Sequence, residues 1–95
     1  MTQFRVSKKL IKCGVPPEVQ GLIFFTCLNV RRMDEATQRK ILNLCMDVAG
    51  VDYRALYKFL TDGYVNHEYI YIHYRVNVKK LFEYKQRFYI EWHKA

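Results

Sequence analysis

Two prolines and four glycines in 95 residues leave this chain little of the punctuation that a loop-rich or many-stranded fold requires. Cysteine is scarce and odd in number. Cys13, Cys27 and Cys45 offer no close pair, which excludes the even, regularly spaced framework of a disulfide scaffold. No apolar run approaches the roughly 20 residues of a membrane-spanning helix. The longest, Gly21 to Val30, is interrupted by Thr26 and Asn29. The start, Met1-Thr2-Gln3-Phe4-Arg5, lacks the charged-then-apolar layout of a signal peptide. The expectation is a protein of a reducing compartment, the cytoplasm, with no membrane partner.

Catalytic signatures are also missing. There is no Gly-rich phosphate loop and no paired-carboxylate motif, and neither the cysteines nor His67, His73 and His93 show the paired spacing of zinc ligands. Cys27 and Cys45 fall on apolar stripes, where core packing explains them. The sequence therefore points away from an enzyme, and towards a protein with no cofactor and no metal.

Acid is in short supply as well. Sixteen Lys and Arg face nine Asp and Glu, a formal charge of +7, and such a balance suits a polyanionic partner such as a nucleic acid or an acidic protein. Against these shortages stands an ample apolar complement, 51% of residues with 16% aromatic, enough for one packed core in a single domain.

The pattern reads as an all-α bundle of about five helices. Residues 5–12 form a short basic helix closed by Gly14, and Val15-Pro16-Pro17 restarts the chain, since proline in a first turn loses no hydrogen bond. From Pro17 to about Arg32, Val19, Leu22, Ile23, Cys27 and Val30 recur at three-and-four spacing, as a buried face requires. Asp34 caps the next helix, whose inward stripe is Ile41, Leu42, Leu44, Cys45 and Val48, and Gly50 ends it. Asp52 serves as a further N-cap for a helix carrying Leu56, Phe59 and Leu60, stopped by Thr61-Asp62-Gly63.

Residues 69–78 admit two readings. Their alternation of β-branched and aromatic side chains is that of a strand, which would form a hairpin with residues 84–92. Lys79 to Lys85, however, contains no Gly, Pro, Asp or Asn to make the turn, while Asn66 and Asn77 stand where two helices would need caps. The helical reading is adopted, with residues 1–50 as an N-terminal helical part and 52–95 as a helix-turn-helix part.

A helix-turn-helix packs its first helix across its second, so a fixed set of positions must be apolar around a tight turn. Ile70, Tyr74, Val76, Leu81 and Tyr84 occupy those positions, Val76 lies in the turn, and Asn77 opens the second helix. From Leu56 to Trp92 the chain runs through a Leu-x-x-x-Leu-Thr helix, a short gap, the helix pair and an aromatic tail, Phe88-Tyr89-Ile90-Glu91-Trp92. In this it resembles the region-four domains of sigma factors and the small regulators of phages and mobile elements that share their helix-turn-helix. Tyr71 stands where the motif usually has a small residue, Arg75 where it has glycine, and Phe82 where it faces solvent or DNA.

The resemblance implies a small transcriptional regulator binding double-stranded DNA. Its recognition helix would begin at Val78, with Lys79, Lys80, Glu83, Gln86 and Arg87 outward. Lysine and arginine neutralise phosphates, Gln86 and Arg87 have the donors to read adenine or guanine edges, and Glu83 accepts from cytosine. Arg54, Lys58 and Arg75 would be positioning contacts, and Asn77, the cap of the recognition helix, belongs to the same nucleic-acid-binding set. Arg5, Lys8, Lys9 and Lys12 read either as a solvated terminus or as a phosphate-binding arm. A lone module of this size makes few phosphate contacts, so such a regulator calls for a homodimer or a partner such as RNA polymerase. The alternative is a phage- or mobile-element-encoded interaction module, an inhibitor or adaptor that binds an acidic or nucleic-acid-binding host protein. Arg75 in place of glycine and an outward Phe82 suit it.

Overall fold

A computed structural model describes residues 4–94. Among them are six α-helices and no strand: α1 (Lys8–Lys12), α2 (Pro17–Leu28), α3 (Glu35–Ala49), α4 (Tyr53–Thr61), α5 (His67–Tyr74) and α6 (Val78–Lys94). Short 3-10 turns, Val30–Arg32 and Gly50–Asp52, lead into α3 and α4.

The hairpin alternative is thereby set aside, and the side chains show why. In a strand Ile70, Ile72 and Tyr74 would share one face. Ile70 is fully buried and Tyr74 half-buried one helical turn later, whereas Ile72 is 61% exposed. Asn66 caps α5 by accepting from Tyr69 N at 2.9 Å, and Asn77 caps α6 by accepting from Lys80 N at 2.8 Å. Asp34 caps α3 in the same way, through Thr37 N at 3.1 Å. Gly14 (φ 91°) and Gly50 (φ 55°) close α1 and α3 in backbone conformations that side chains resist.

Local expectations fail in several places, each for a tertiary reason. The first helix starts at Lys8 rather than residue 5, because the Ser7 hydroxyl caps it through Leu10 N. The second stops at Leu28 rather than near Arg32, where Asn29 Nδ2 turns back to the Phe25 carbonyl at 2.7 Å. Asp52 is not a side-chain cap for α4; its carboxylate is engaged by Tyr84 of α6. Two side chains expected in the core are exposed: Leu22 on α2, at 62%, and Leu42 on α3.

The inward place on α2 belongs instead to Gln20. Its amide accepts from Ser7 N (2.8 Å) and donates to the carbonyls of Ser7 (3.1 Å) and Val15 (3.0 Å). A polar group that buried is stable only when its bonds are made. Here the bonds fasten the N-terminal segment to α2. The main core gathers Ile23, Cys27, Ile41, Cys45, Leu56 and Phe88, from α2, α3, α4 and α6. A second core holds Ala55, Val65, Ile70, Val76 and Leu81 under the α5–α6 pair, and Tyr84 packs against both. Burial drives the Cys27 and Cys45 thiols up to about 12.

Candidate nucleic-acid interface

The α5–α6 pair is built on one unusual backbone position. Arg75 ends α5 at φ 60°, ψ 33°, the left-handed region, and its N–H returns to the Tyr71 carbonyl at 3.0 Å. Only glycine takes this conformation freely; for other residues it costs roughly 1 kcal/mol or more. Arginine is held there because Val76, the next residue, is driven into the second core between Ile70 and Leu81. The turn therefore has the left-handed geometry that glycine would supply, with arginine in glycine's place.

Tyr71, the bulky residue where the helices cross, does not wedge them apart. It swings outward, 51% exposed, and borders an open apolar cleft of about 400 Å³ lined also by His67, Glu68, Ile72, Asn77 and Val78. Phe82, expected on the outer side, is 47% exposed but not free. Its ring sits edge-on to Phe59 at 5.9 Å and tilted against His67 at 6.4 Å, filling the seam between α4, α5 and α6.

The first turn of α6, like those of α1 and α4, carries no acid. α2, α3 and α5 carry Glu18, Glu35 and Glu68 in their first turns, which suits the positive end of the helix dipole. α6 opens with Val78-Lys79-Lys80 and no acid. Cations at that end add to the dipole's field instead of opposing it, and the combination attracts anions.

The residues singled out from sequence divide into groups. Arg75, Asn77, Lys79, Lys80, Glu83 and Arg87 are exposed around the turn and along α6, and Lys79, Glu83 and Arg87 have no ion-pair partner among the described residues. Lys80 lies 3.6 Å from Asp52, and Tyr84 and Asp52 beside it hold its ammonium pKa above the usual value. Gln86 is half-covered, its amide 3.8 Å from Cys13 Sγ at the end of α1. Arg54 and Lys58 stand apart. Arg54 donates to the Tyr53 hydroxyl (3.3 Å), and Lys58 pairs with Asp62 (3.0 Å). Both feel Tyr74, the residue before Arg75, and Lys58 also feels Tyr69.

What the sequence left open is the position of the N-terminal cations. The segment held by Gln20 runs beside α6, and a groove of about 500 Å³ separates them. Arg5 and Lys9 line one wall; Lys79, Glu83 and Gln86 line the other. Composition showed a basic terminus but not where it lies, since that depends on a contact across thirteen residues. Lys85 gave no signal either. It points inward from α6 over the Phe59 (5.9 Å) and Tyr89 (5.8 Å) rings, and burial lowers its pKa.

Among the described residues no cluster of His, Cys, Asp and Glu is arranged to hold a metal ion, and no helix is long and apolar enough to cross a membrane. Set against family models, curated proteins and solved structures, the chain matches none.

Proposed function

We propose that this protein binds double-stranded DNA through α5 and α6, with the first turns of α6 entering the major groove. The observation that carries the reading is the left-handed turn at Arg75 over the buried Ile70, Val76 and Leu81, which projects an acid-free, lysine-bearing helix start into solvent. Lys79 and Arg87 would neutralise phosphates and Glu83 would face base edges. The groove residues Arg5 and Lys9 extend the same basic surface, which favours the phosphate-binding arm over the solvated terminus. Gln86, held towards Cys13, is a weaker base reader than its position on the helix implies. Arg54 and Lys58, already engaged by Tyr53 and Asp62, are not counted as contacts. A role as transcriptional regulator of a phage or mobile element, acting alone or with RNA polymerase, rests on the C-terminal resemblance.

Anisotropy titrations of random-sequence duplex at several salt concentrations test this. Lys79→Ala/Arg87→Ala should lower affinity and flatten the salt dependence by about 1.8 in log–log slope, about 0.9 for each phosphate left without its cation. Arg5→Ala/Lys9→Ala should act in the same direction. Arg39→Ala, which removes a cation paired with Glu35 on α3, is the control. Equal losses from all three would reduce the binding to generic cationic attraction, and no binding at about 50 mM salt would end the DNA reading.

One observation favours a second reading. The apolar cleft between Tyr71, Ile72 and Val78 lies between α5 and the start of α6, where a side chain of a host protein could seat. Ile72→Ser should then abolish capture of that protein and leave DNA titrations unchanged.

A further inference from the structure

We infer that the outward face of α2 is a self-association surface, occupied by α2 of a second copy of this chain. A helix that is apolar on every side belongs in an interior. α2 is such a helix, yet only one side is covered: Ile23, Phe24 and Cys27 are buried, while Leu22 and Phe25 stand 62% and 54% exposed. Of the described aromatic side chains outside α2, only the Phe4 ring lies beside Phe25, at 6.0 Å. Leu22 and Phe25 are one turn apart and form a single stripe.

Charge selects the occupant. Copies with a formal charge of +7 repel one another, so they approach most readily where cations are absent. From Cys13 to Val30 the chain has no lysine or arginine and one acid, Glu18; no other stretch runs as long without a cation. An antiparallel two-fold pairing centred between Leu22 and Phe25 brings Glu18 at the start of one α2 towards the end of the other, which runs on into Arg31 and Arg32. A lipid surface is the poorer fit, because anionic membranes draw apolar faces that are fringed with cations.

The inference is independent of the DNA reading, and its test contains no DNA. Sedimentation velocity of the full chain, over a range of protein and salt concentrations, should show mass rising from 11.5 kDa towards twice that value. Added salt should strengthen the association by screening the repulsion. Leu22→Glu should weaken it by about tenfold or more with helical content unchanged, since Leu22 lies outside the core, and Phe25→Glu should weaken it likewise while also losing the Phe4 and Phe24 ring contacts. Glu18→Lys should weaken it with the apolar stripe intact. A single 11.5 kDa species at every concentration up to about 1 mM overturns the inference, as does a dimer indifferent to both glutamate substitutions. A monomer that binds phosphatidylcholine vesicles through Leu22 also overturns it, in favour of lipid.

Discussion

The Tyr84 hydroxyl donates a 2.8 Å hydrogen bond to Asp52 Oδ2, joining the middle of α6 to the turn that precedes α4 across 32 residues of sequence. The same oxygen faces Lys80 Nζ at 3.6 Å, so one carboxylate fixes both the packing of α6 and the strength of a cation beside the candidate interface. Tyr84→Phe should cost about 1 kcal/mol, the usual net value of such a bond, and lower Tm by about 4 °C or more. Asp52→Asn should also destabilise, yet it releases Lys80 and should tighten duplex binding. Urea titrations alongside anisotropy would show the opposite signs; a fall in both quantities would mean that α6 had shifted.

Arg75 separates stability from binding in a second way. Arg75→Gly relieves the left-handed strain, worth roughly 1 kcal/mol or more, and gives back part of it through the freer unfolded chain. The expected net gain is about 0.5 kcal/mol, measured by thermal or urea unfolding. If the guanidinium reaches a phosphate, the stabilised variant should bind duplex less tightly and with a shallower salt slope. A destabilised variant would show that Arg75 makes native contacts that outweigh the strain.

These two residues also show how much the sequence allowed. Asn66, Asn77, Asp34, Gly14 and Gly50 were legible as helix boundaries because capping is settled within three or four residues. The buried set Ile70, Val76 and Leu81 was legible because the motif repeats a fixed spacing. Asp52 was not, since the partner that takes it from its capping role lies 32 residues away. Leu22 was misplaced, and the burial of Gln20 gave no signal, for a related reason. On a helix apolar all round, periodicity does not say which side is inward, and only Ser7 and Val15 decide for Gln20. The N-terminal cations joined the candidate surface through that same contact.

Lys85 should leave a mark on the pH dependence of stability. Its folded pKa lies below the ordinary 10.5 because burial disfavours the ammonium. At this one group the unfolded chain therefore binds more protons, and its contribution to stability should rise as pH climbs through the lowered value towards 10.5. Lys85→Met should flatten that rise and raise Tm at pH 7, since methionine removes the buried charge. Only the difference between the two proteins reports Lys85, because the buried Cys27 and Cys45 thiols, raised to about 12, lower stability as pH climbs above about 8.5, where they ionise in the unfolded chain. An equally steep rise in the variant would assign it to other groups.

The cysteines offer a chemical check on both the core and the groove. Cys27 and Cys45 are buried with thiols raised to about 12, whereas Cys13 is exposed at the end of α1. At pH 8 the thiolate fraction of the buried pair is on the order of one in ten thousand, and reagent has no path to them in the folded chain. Ellman's reagent should titrate one thiol rapidly in the native protein and the other two only as it unfolds. Cys13 also lies 3.8 Å from the Gln86 amide, on the flank of α6 that forms one wall of the basic groove. A bulky maleimide on Cys13 should therefore weaken duplex binding with little change in Tm, and Cys13→Ser should be immune to the reagent. Undiminished binding by the labelled protein would place the DNA contact away from the groove, on the first turn of α6 alone.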